Sequence, residues 1–325
     1  MMQFGLVGIG AGAAAALLFA SVASGSFLSI ILFYLAPLPV MIAGLGWSHW
    51  AALLAAVTAT LAVAVLFGGV SVLAFVAGIA APAWLLSYLA MLARPVPATA
   101  EGAPGTSVEW YPPGRLVLWA ALLGVLLVLV AIPNFGLDAE SFRTSLSAAL
   151  SSMLHVGAGA ANGQPPSLPD AARAKRIVAL LVEIVPPAAA VAATVTNVIN
   201  LWLAGRVVKL SGRLSRPWPD FSAMTFPPLV AAALAVAVAL TFAGGMVGIL
   251  AGVVASALIM SYAILGFAVL HDITRGQPSR SFLLGGIYAS VLVFGWPVLM
   301  LSLLGLADTA FHLRERVARR RATTV

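Results

Sequence analysis

Residues 177–204 read IVALLVEIVPPAAAVAATVTNVINLWLA, and Glu183 is the only charged side chain in that stretch. A bilayer core requires about 20 consecutive, mostly apolar residues, and this run is longer than that. The stretch therefore predicts a helix that crosses a membrane. A carboxylate inside such a span is costly unless it is protonated, paired or facing water, so Glu183 is the residue of the run that needs an explanation.

The rest of the chain has the same character, with 62% hydrophobic and 8% charged residues over 325 positions. Soluble proteins carry about 25% charged residues. The apolar runs cover approximately 5–23, 27–45, 48–67, 71–93, 115–133, 177–204, 227–243, 246–270 and 282–306. An open sheet edge cannot face lipid, so these runs predict an all-α, polytopic helical membrane bundle of eight or nine transmembrane helices. The bundle forms one domain, 1–309, and a basic C-terminal tail follows, 310–325.

Three polar intervals interrupt the apolar runs. The Pro/Gly-rich interval 94–114 predicts a flexible loop. Residues 138–156 place apolar side chains three or four apart, which predicts an amphipathic helix, either in the lipid headgroup region or packed over the end of the bundle. The interval 205–225 is a basic loop.

The formal net charge of +7 comes from clusters of basic residues. One contains Arg206, Lys209, Arg213 and Arg216, and the other contains Arg314, Arg316, Arg319, Arg320 and Arg321. Next to membrane spans such clusters favour anionic lipid headgroups over nucleic acid as partners. Nine spans would divide the basic residues almost evenly between the two sides. A single crossing within 227–270 would place the tail and the 205–225 loop together, which favours a cytoplasmic tail.

Small residues recur every four positions in the first run, a spacing that lets two helices approach closely. The members of this stripe are Gly8, Gly12, Ala16, Ala20 and Ser24. The stripe is a candidate helix–helix interface, either with a partner subunit or with another helix of the same chain.

The polar groups of the sixth run form the candidate solute or coupling site. The proline pair 186–187 follows Glu183 and frees carbonyls from the helical hydrogen bonds. Thr194 and Asn197 return near the same helix face as Glu183. Together they predict a polar seam at a broken helix near mid-membrane, as in transporters. The alternative is structural, with Glu183 paired to Arg176 or to a neighbouring helix.

Catalytic and metal-binding patterns are not found in the sequence. There is no cysteine, which excludes disulfides and thiolate metal sites, and there is no Walker A or His-Glu-x-x-His motif. We therefore expect no metal, no cofactor and no enzymatic activity of a familiar type. Near the end of the chain, we expect Asp308 to cap the tail helix or to pair with His312 or Arg314.

A series of motifs in the C-terminal half resembles a known family. It comprises Asn197 and Asn200, Arg206-Val-Val-Lys209, Pro217-Trp-Pro-Asp-Phe221, Pro227, Tyr262-Ala-Ile-Leu-Gly266, His271, Leu303-Leu-Gly-Leu-Ala-Asp308 and Arg314. This order resembles the YybS-like family of bacterial inner-membrane proteins, although Leu265 stands where the family's familiar glutamine precedes Gly266. The resemblance implies a multi-pass location in the bacterial inner membrane and no established activity. The N-terminal spans are also similar to the substrate-binding subunits of energy-coupling-factor vitamin transporters, which implies an energising partner.

Two functions follow from these patterns. The first is an accessory or scaffold subunit that acts through other membrane proteins. The second is a small-molecule binding or transport protein with a polar site around Glu183.

Overall fold

The computed structural model describes residues 2–97, 106–162 and 168–322. Its secondary structure is almost entirely helical, and seven of the described segments are long and apolar enough to cross a membrane. Three further apolar helices, of 13 to 15 residues, are shorter than that. The predicted all-α helical membrane bundle is confirmed.

The helices follow the apolar runs. The first half contains α1 (Met2–Ala20), α2 (Phe27–Tyr34), α3 (Pro37–Gly46), α4 (His49–Phe67), α5 (Gly69–Phe75), α6 (Ala81–Ala90) and α7 (Pro113–Ala131), with a π-helical turn (Val76–Ala80) joining α5 to α6. The second half contains α8 (Ala139–Asn162), α9 (Leu168–Leu210), α10 (Leu229–Thr241), α11 (Gly245–Ile273), α12 (Arg280–Phe294), α13 (Pro297–Phe311) and α14 (Leu313–Ala322).

Helix α9 is the axis of the bundle. It packs against α3, α7 and α11, and its 43 residues correspond to a length of about 65 Å. Both residues of the proline pair 186–187 lie inside it, so the break expected there is not found. Neighbouring helices can compensate for the hydrogen bonds that proline removes within a membrane bundle.

A kink does occur between α2 and α3, at prolines 37 and 39. Leu38 N–H donates to Leu35 O, and the carbonyl of Tyr34 accepts instead from Asn200 Nδ2 at 2.8 Å. Asn200 of α9 thus donates the hydrogen bond that the Tyr34 carbonyl does not receive within its own helix at the proline turn.

The small-residue stripe of α1 faces α4 of the same chain. Gly8 packs against Leu54, and Gly12 lies against the backbone of Ala55, while Ala16 is buried. Ala20 is half-buried and Ser24 is exposed. The first three members of the stripe are therefore occupied within the chain.

The two ends of the bundle differ in charge. We call the end that holds the C-termini of α9, α11 and α13 the basic end, and the other the opposite end. Arg314 of the tail donates to Ser222 O at 2.7 Å, so the tail and the segment after α9 meet at the basic end. The run predicted at 282–306 is divided into α12 and α13 at Gly295, which adopts a positive φ of 72° just before Pro297. This division returns the chain to the basic end.

The polar intervals are more ordered than expected. The interval 94–114 contains an antiparallel strand pair, β1 (Ala93–Pro97) and β2 (Thr106–Trp110), in which Arg94 faces Glu109; residues 98–105 lie outside the described residues. Opposite charges on facing residues stabilise such a pair. The basic interval begins inside a helix, because α9 continues to Leu210. The tail forms α14, and residues 323–325 lie outside the described residues.

The predicted amphipathic helix is α8. Its buried residues Phe142 and Leu146 pack with Ile132, Val178 and Val182. These contacts match the alternative in which the helix packs over the end of the bundle.

Candidate functional site

Glu183 lines a cavity at the opposite end of the bundle. The cavity has a volume of about 260 Å³, slightly below the range of about 300–1,000 Å³ that is usual for ligand pockets. Its lining comes from α8, α9, α10 and α11 and consists of Arg143, Val182, Glu183, Pro186, Pro187, Thr241, Gly244, Gly245, Gly248, Ile249 and Gly252. Three parts of the chain that are distant in sequence, namely α8, α9 and the α10–α11 turn, therefore meet around this carboxylate.

Glycines form much of the α10–α11 wall of the cavity. Gly244 and Gly245 adopt positive φ values of 70° and 58°, which the tight turn between the two helices requires. A Cβ at Gly252 would meet no atom within 4 Å. The wall is therefore mostly backbone, and the space in front of Gly252 stays open.

Arg143 and Glu183 are the charged residues of the cavity. Both are exposed, and neither forms an ion pair within 4.0 Å in the described part of the chain. Two opposite charges that line one cavity without neutralising each other remain available to a ligand. A guanidinium binds a carboxylate, and a carboxylate binds an ammonium group.

The start of α8 positions Arg143. Asp138 caps the helix, and its carboxylate accepts hydrogen bonds from the backbone N–H groups of Glu140 and Ser141 and from the Ser141 hydroxyl. The hydrogen bonds from Ser141 lower the pKa of Asp138 below its usual value. Phe142, the residue before Arg143, is buried, which fixes the face that α8 turns toward the bundle.

The length of α9 argues for a cavity near a membrane boundary and against one at mid-membrane. Glu183 is 23 residues before Arg206 in the continuous helix α9, a rise of about 35 Å, whereas the bilayer core is about 30 Å thick. If Arg206 lies at one boundary, Glu183 reaches the other.

Thr194 and Asn197 do not join Glu183. Thr194 is buried, lies against Gly124 of α7 and donates its hydroxyl proton to Ala190 O at 2.7 Å. Asn197 is also buried, and its Oδ1 has no hydrogen-bond partner among the described residues. These two side chains lie about 16–21 Å along the helix from Glu183. The predicted polar seam is therefore separated into a surface cavity and a buried helix contact.

A charged network closes the basic end. Arg314 donates through Nε and Nη2 to Asp308 Oδ2 at 3.0 and 2.7 Å, and its backbone N–H donates to Asp308 Oδ1 at 3.1 Å. The expected pairing of Asp308 with Arg314 is confirmed. Both side chains are largely buried, with 14% and 6% of their surfaces exposed.

Ser222 connects this pair to a second one. Arg275 Nη2 donates to Ser222 Oγ at 2.8 Å and lies 3.6 Å from Asp220 Oδ2. Hydrogen bonds from the Ser222 hydroxyl and backbone N–H, with the nearby Arg275 charge, lower the pKa of Asp220. A groove of about 600 Å³ runs over this network.

Arg216 is placed differently from the lipid-surface position expected for it. It is buried, and it donates to Ala90 O and to Tyr111 O, both at 2.8 Å. These carbonyls lie at the end of α6 and just before α7, where no helical partner is available. Burial lowers the pKa of the guanidinium. The residue joins three chain segments at the basic end.

We expect Arg216→Ala to lower the free energy of unfolding by about 2 kcal/mol, because it removes two hydrogen bonds from a charged donor. Thermal unfolding in detergent measures the change. The matched control is Arg213→Ala, whose exposed guanidinium stacks over Trp47 at 4.6 Å. Equal destabilisation by both variants would contradict a structural role specific to Arg216.

The remaining basic residues retain exposed side chains. Arg206 and Lys209 lie over the indole of Trp218, and Arg316 and Arg319 are exposed on α14, where Arg319 pairs with Glu315. The side chains of the predicted cluster members Arg320 and Arg321 lie outside the described residues.

Sequence reasoning did not identify Arg143 as a partner of Glu183 or Ser222 as a link between two ion pairs. Arg143 is 40 residues from Glu183 and occupies a different helix. The only indication in the sequence is that Arg143 is a basic residue within a predicted amphipathic helix. Ser222 lies two residues after Asp220, in a segment that the sequence predicts to be a loop.

The bundle and its end cavities define a polytopic helical membrane protein. The chain matches the model of the DUF2232 family, described as a predicted membrane protein, over residues 13–309, and therefore belongs to that family. This membership fits the resemblance to YybS-like membrane proteins of unknown function. The likeness to energy-coupling-factor transporter subunits is not shown by the comparisons. No curated protein and no solved structure matches the chain.

Proposed function

We propose that the protein binds a small solute that carries both a carboxylate and an ammonium group, in the cavity between Arg143 and Glu183. One observation carries this proposal: opposite charges line the same cavity without an ion pair between them. The apolar lining residues Val182 and Ile249 suit the uncharged part of such a solute. The proposed activity is binding, as a step toward transport, and it involves no catalysis.

We further propose that the basic end is cytoplasmic in a bacterial inner membrane. Positions at or beyond the helix ends there hold thirteen of the 17 Lys and Arg residues. The opposite end holds the other four, Arg143, Arg173, Lys175 and Arg176. Cytoplasmic segments of membrane proteins carry an excess of basic residues. The Arg143–Glu183 cavity would then face the outside, as suits a protein that captures a solute there.

A role as an accessory or scaffold subunit is the second candidate. The small-residue stripe of α1 is one sequence feature that favours this role. Gly8 and Gly12 of the stripe pack against α4 of the same chain, so these two positions are occupied within the chain. The geometry therefore favours solute binding. Stoichiometric co-purification of another membrane protein would support the accessory role, and such a partner could also energise transport.

Solute binding is tested with Glu183→Gln and Arg143→Gln. The probes are free α-amino acids, which carry both charges. Simple amines and simple carboxylic acids, which carry only one of the two charges, serve as comparison probes. We expect amino acids to raise the unfolding temperature of the detergent-purified protein. Each variant should weaken binding about tenfold or more, since each removes a hydrogen bond to a charged group.

The control is Glu140→Gln, which removes an exposed carboxylate of α8 that does not line the cavity. Unchanged affinity in both cavity variants would contradict the proposed site. Equal stabilisation by single-charge probes would contradict the proposed solute class.

Orientation can be tested separately because the natural chain has no cysteine. We expect an impermeant maleimide to label Ser145→Cys, on α8, in intact cells. Arg316→Cys, on α14, should be labelled only after the cells are opened. Both positions are exposed in the structure, so each should react once the reagent reaches it. The reverse labelling pattern would place the basic end outside.

A further inference from the structure

Trp218 is folded back onto α9 at the basic end. Its ring packs over Gly205, where an added Cβ would lie 3.4 Å from the indole. The Arg206 guanidinium carbon lies 5.5 Å from the centre of the ring, and Lys209 Nζ lies 5.0 Å from it. Two cations three residues apart on one helix are therefore held over a single aromatic side chain.

The segment that carries Trp218 is held in place by its neighbours. Arg216 is anchored to Ala90 O and Tyr111 O, and prolines 217 and 219 restrict the backbone on both sides of the indole. Phe221 makes an edge-on contact with Trp218, with ring centres 6.2 Å apart. The aromatic surface is thus held in place by contacts within the chain itself.

The two cations have no carboxylate partner. Both are exposed, and neither forms an ion pair in the part of the chain that the structure describes. A cation–π contact uses the ring face and leaves N–H groups free to donate. An anion with several acceptor oxygens complements this arrangement, and phosphate is such an anion.

A second tryptophan indicates that the anion belongs to a lipid. Trp202 lies one turn earlier on α9, 5.8 Å from the Arg206 guanidinium carbon, and 45% of its surface is exposed. Tryptophan at the end of a membrane span lies at the headgroup boundary. The two cations and the exposed ring of Trp202 therefore follow one another along α9. A phospholipid bound beside the helix would place its headgroup at the cations and its acyl chain against the ring.

We propose that Arg206, Lys209 and Trp218 form a binding site for the headgroup phosphate of an anionic phospholipid, with its acyl chain against Trp202. The site is independent of the Arg143–Glu183 cavity and lies at the other end of the bundle. It selects anionic over zwitterionic lipids because the two cations face no protein carboxylate.

The test uses the full chain in nanodiscs of phosphatidylcholine with increasing amounts of phosphatidylglycerol. Unfolding temperature and lipids retained in native mass spectrometry are the two readouts. We expect Arg206→Gln/Lys209→Gln to weaken phosphatidylglycerol binding about tenfold, because each basic group near the surface contributes to anionic lipid binding. Trp218→Leu keeps both charges and should weaken binding as well, since it removes the surface that holds them.

The matched control is Arg316→Gln/Arg319→Gln, which makes the same charge change at the same end on α14. We expect less than a twofold effect from it. Equal losses in the two double variants would overturn the site in favour of general surface electrostatics. Stabilisation by inorganic phosphate equal to that by phosphatidylglycerol would overturn the assignment to a lipid.

Discussion

Replacing Arg314 with alanine is expected to lower the free energy of unfolding by about 3–5 kcal/mol, the usual effect of removing one partner from a buried ion pair. Asp308, whose side chain is only 6% exposed in the structure, would lose the guanidinium that donates two hydrogen bonds to it. The Ser222 carbonyl would also lose its partner. Thermal or denaturant unfolding in detergent measures the effect.

Arg316→Ala provides the control for this prediction. Arg316 lies on the same helix, is exposed and forms no ion pair within the described residues. Surface substitutions of this kind change stability by less than about 0.5 kcal/mol. If Arg314→Ala had an effect as small as that of Arg316→Ala, the pair with Asp308 would not stabilise the basic end.

The Arg314 network also predicts a local effect. Asp308→Asn retains one oxygen acceptor but loses the charge, so it should be less destabilising than Arg314→Ala. Limited proteolysis should cut the 211–228 segment or α14 before the transmembrane helices in both variants. Cleavage at unchanged rates would show that the network does not hold these two segments together.

The fold was largely predictable because lipid imposes length and composition on each span. The sequence places Ile177 to Ala204 in one apolar run, and α9 does contain that run. Composition does not give the depth at which a residue lies in the membrane. Because α9 is continuous through its prolines, Glu183 lies about 35 Å along the helix from Arg206. That separation argues against the cost assumed for a mid-membrane carboxylate.

The candidate site was predictable only in part. Glu183 stands out because it is a charge in an apolar run, but its companion Arg143 belongs to an interval where charges are ordinary. The sequence also groups Arg216 with Arg213 in one basic cluster, although the two residues differ in the structure. Their spacing in the sequence predicts the same surface position for both. In the structure Arg216 is buried and donates to Ala90 O and Tyr111 O, whereas Arg213 is exposed. Tertiary contacts of this kind have no local pattern.

Gly266→Ala is expected to lower the free energy of unfolding by about 3 kcal/mol, at the upper end of the cost of overpacking. An added Cβ at Gly266 would collide with the carbonyl oxygen of Leu301 in α13. A flexible side chain could move aside, but a backbone carbonyl moves only with its helix. Small residues at such a crossing are what allow two membrane helices to approach closely.

The same crossing offers an independent test and a control. Gly305→Ala introduces a Cβ from α13 against the carbonyl of Tyr262, so it should destabilise to a similar extent. Gly286→Ala, in α12, places a Cβ where no atom lies within 4 Å, and it should be neutral or slightly stabilising because alanine favours helix over glycine. If all three variants unfolded alike in detergent, close contact between α11 and α13 would not be what the glycines provide. Separation of these helices should also loosen the pair formed by Asp308, in the last turn of α13, and Arg314, in α14. Gly266→Ala and Arg314→Ala should therefore be less than additive when combined.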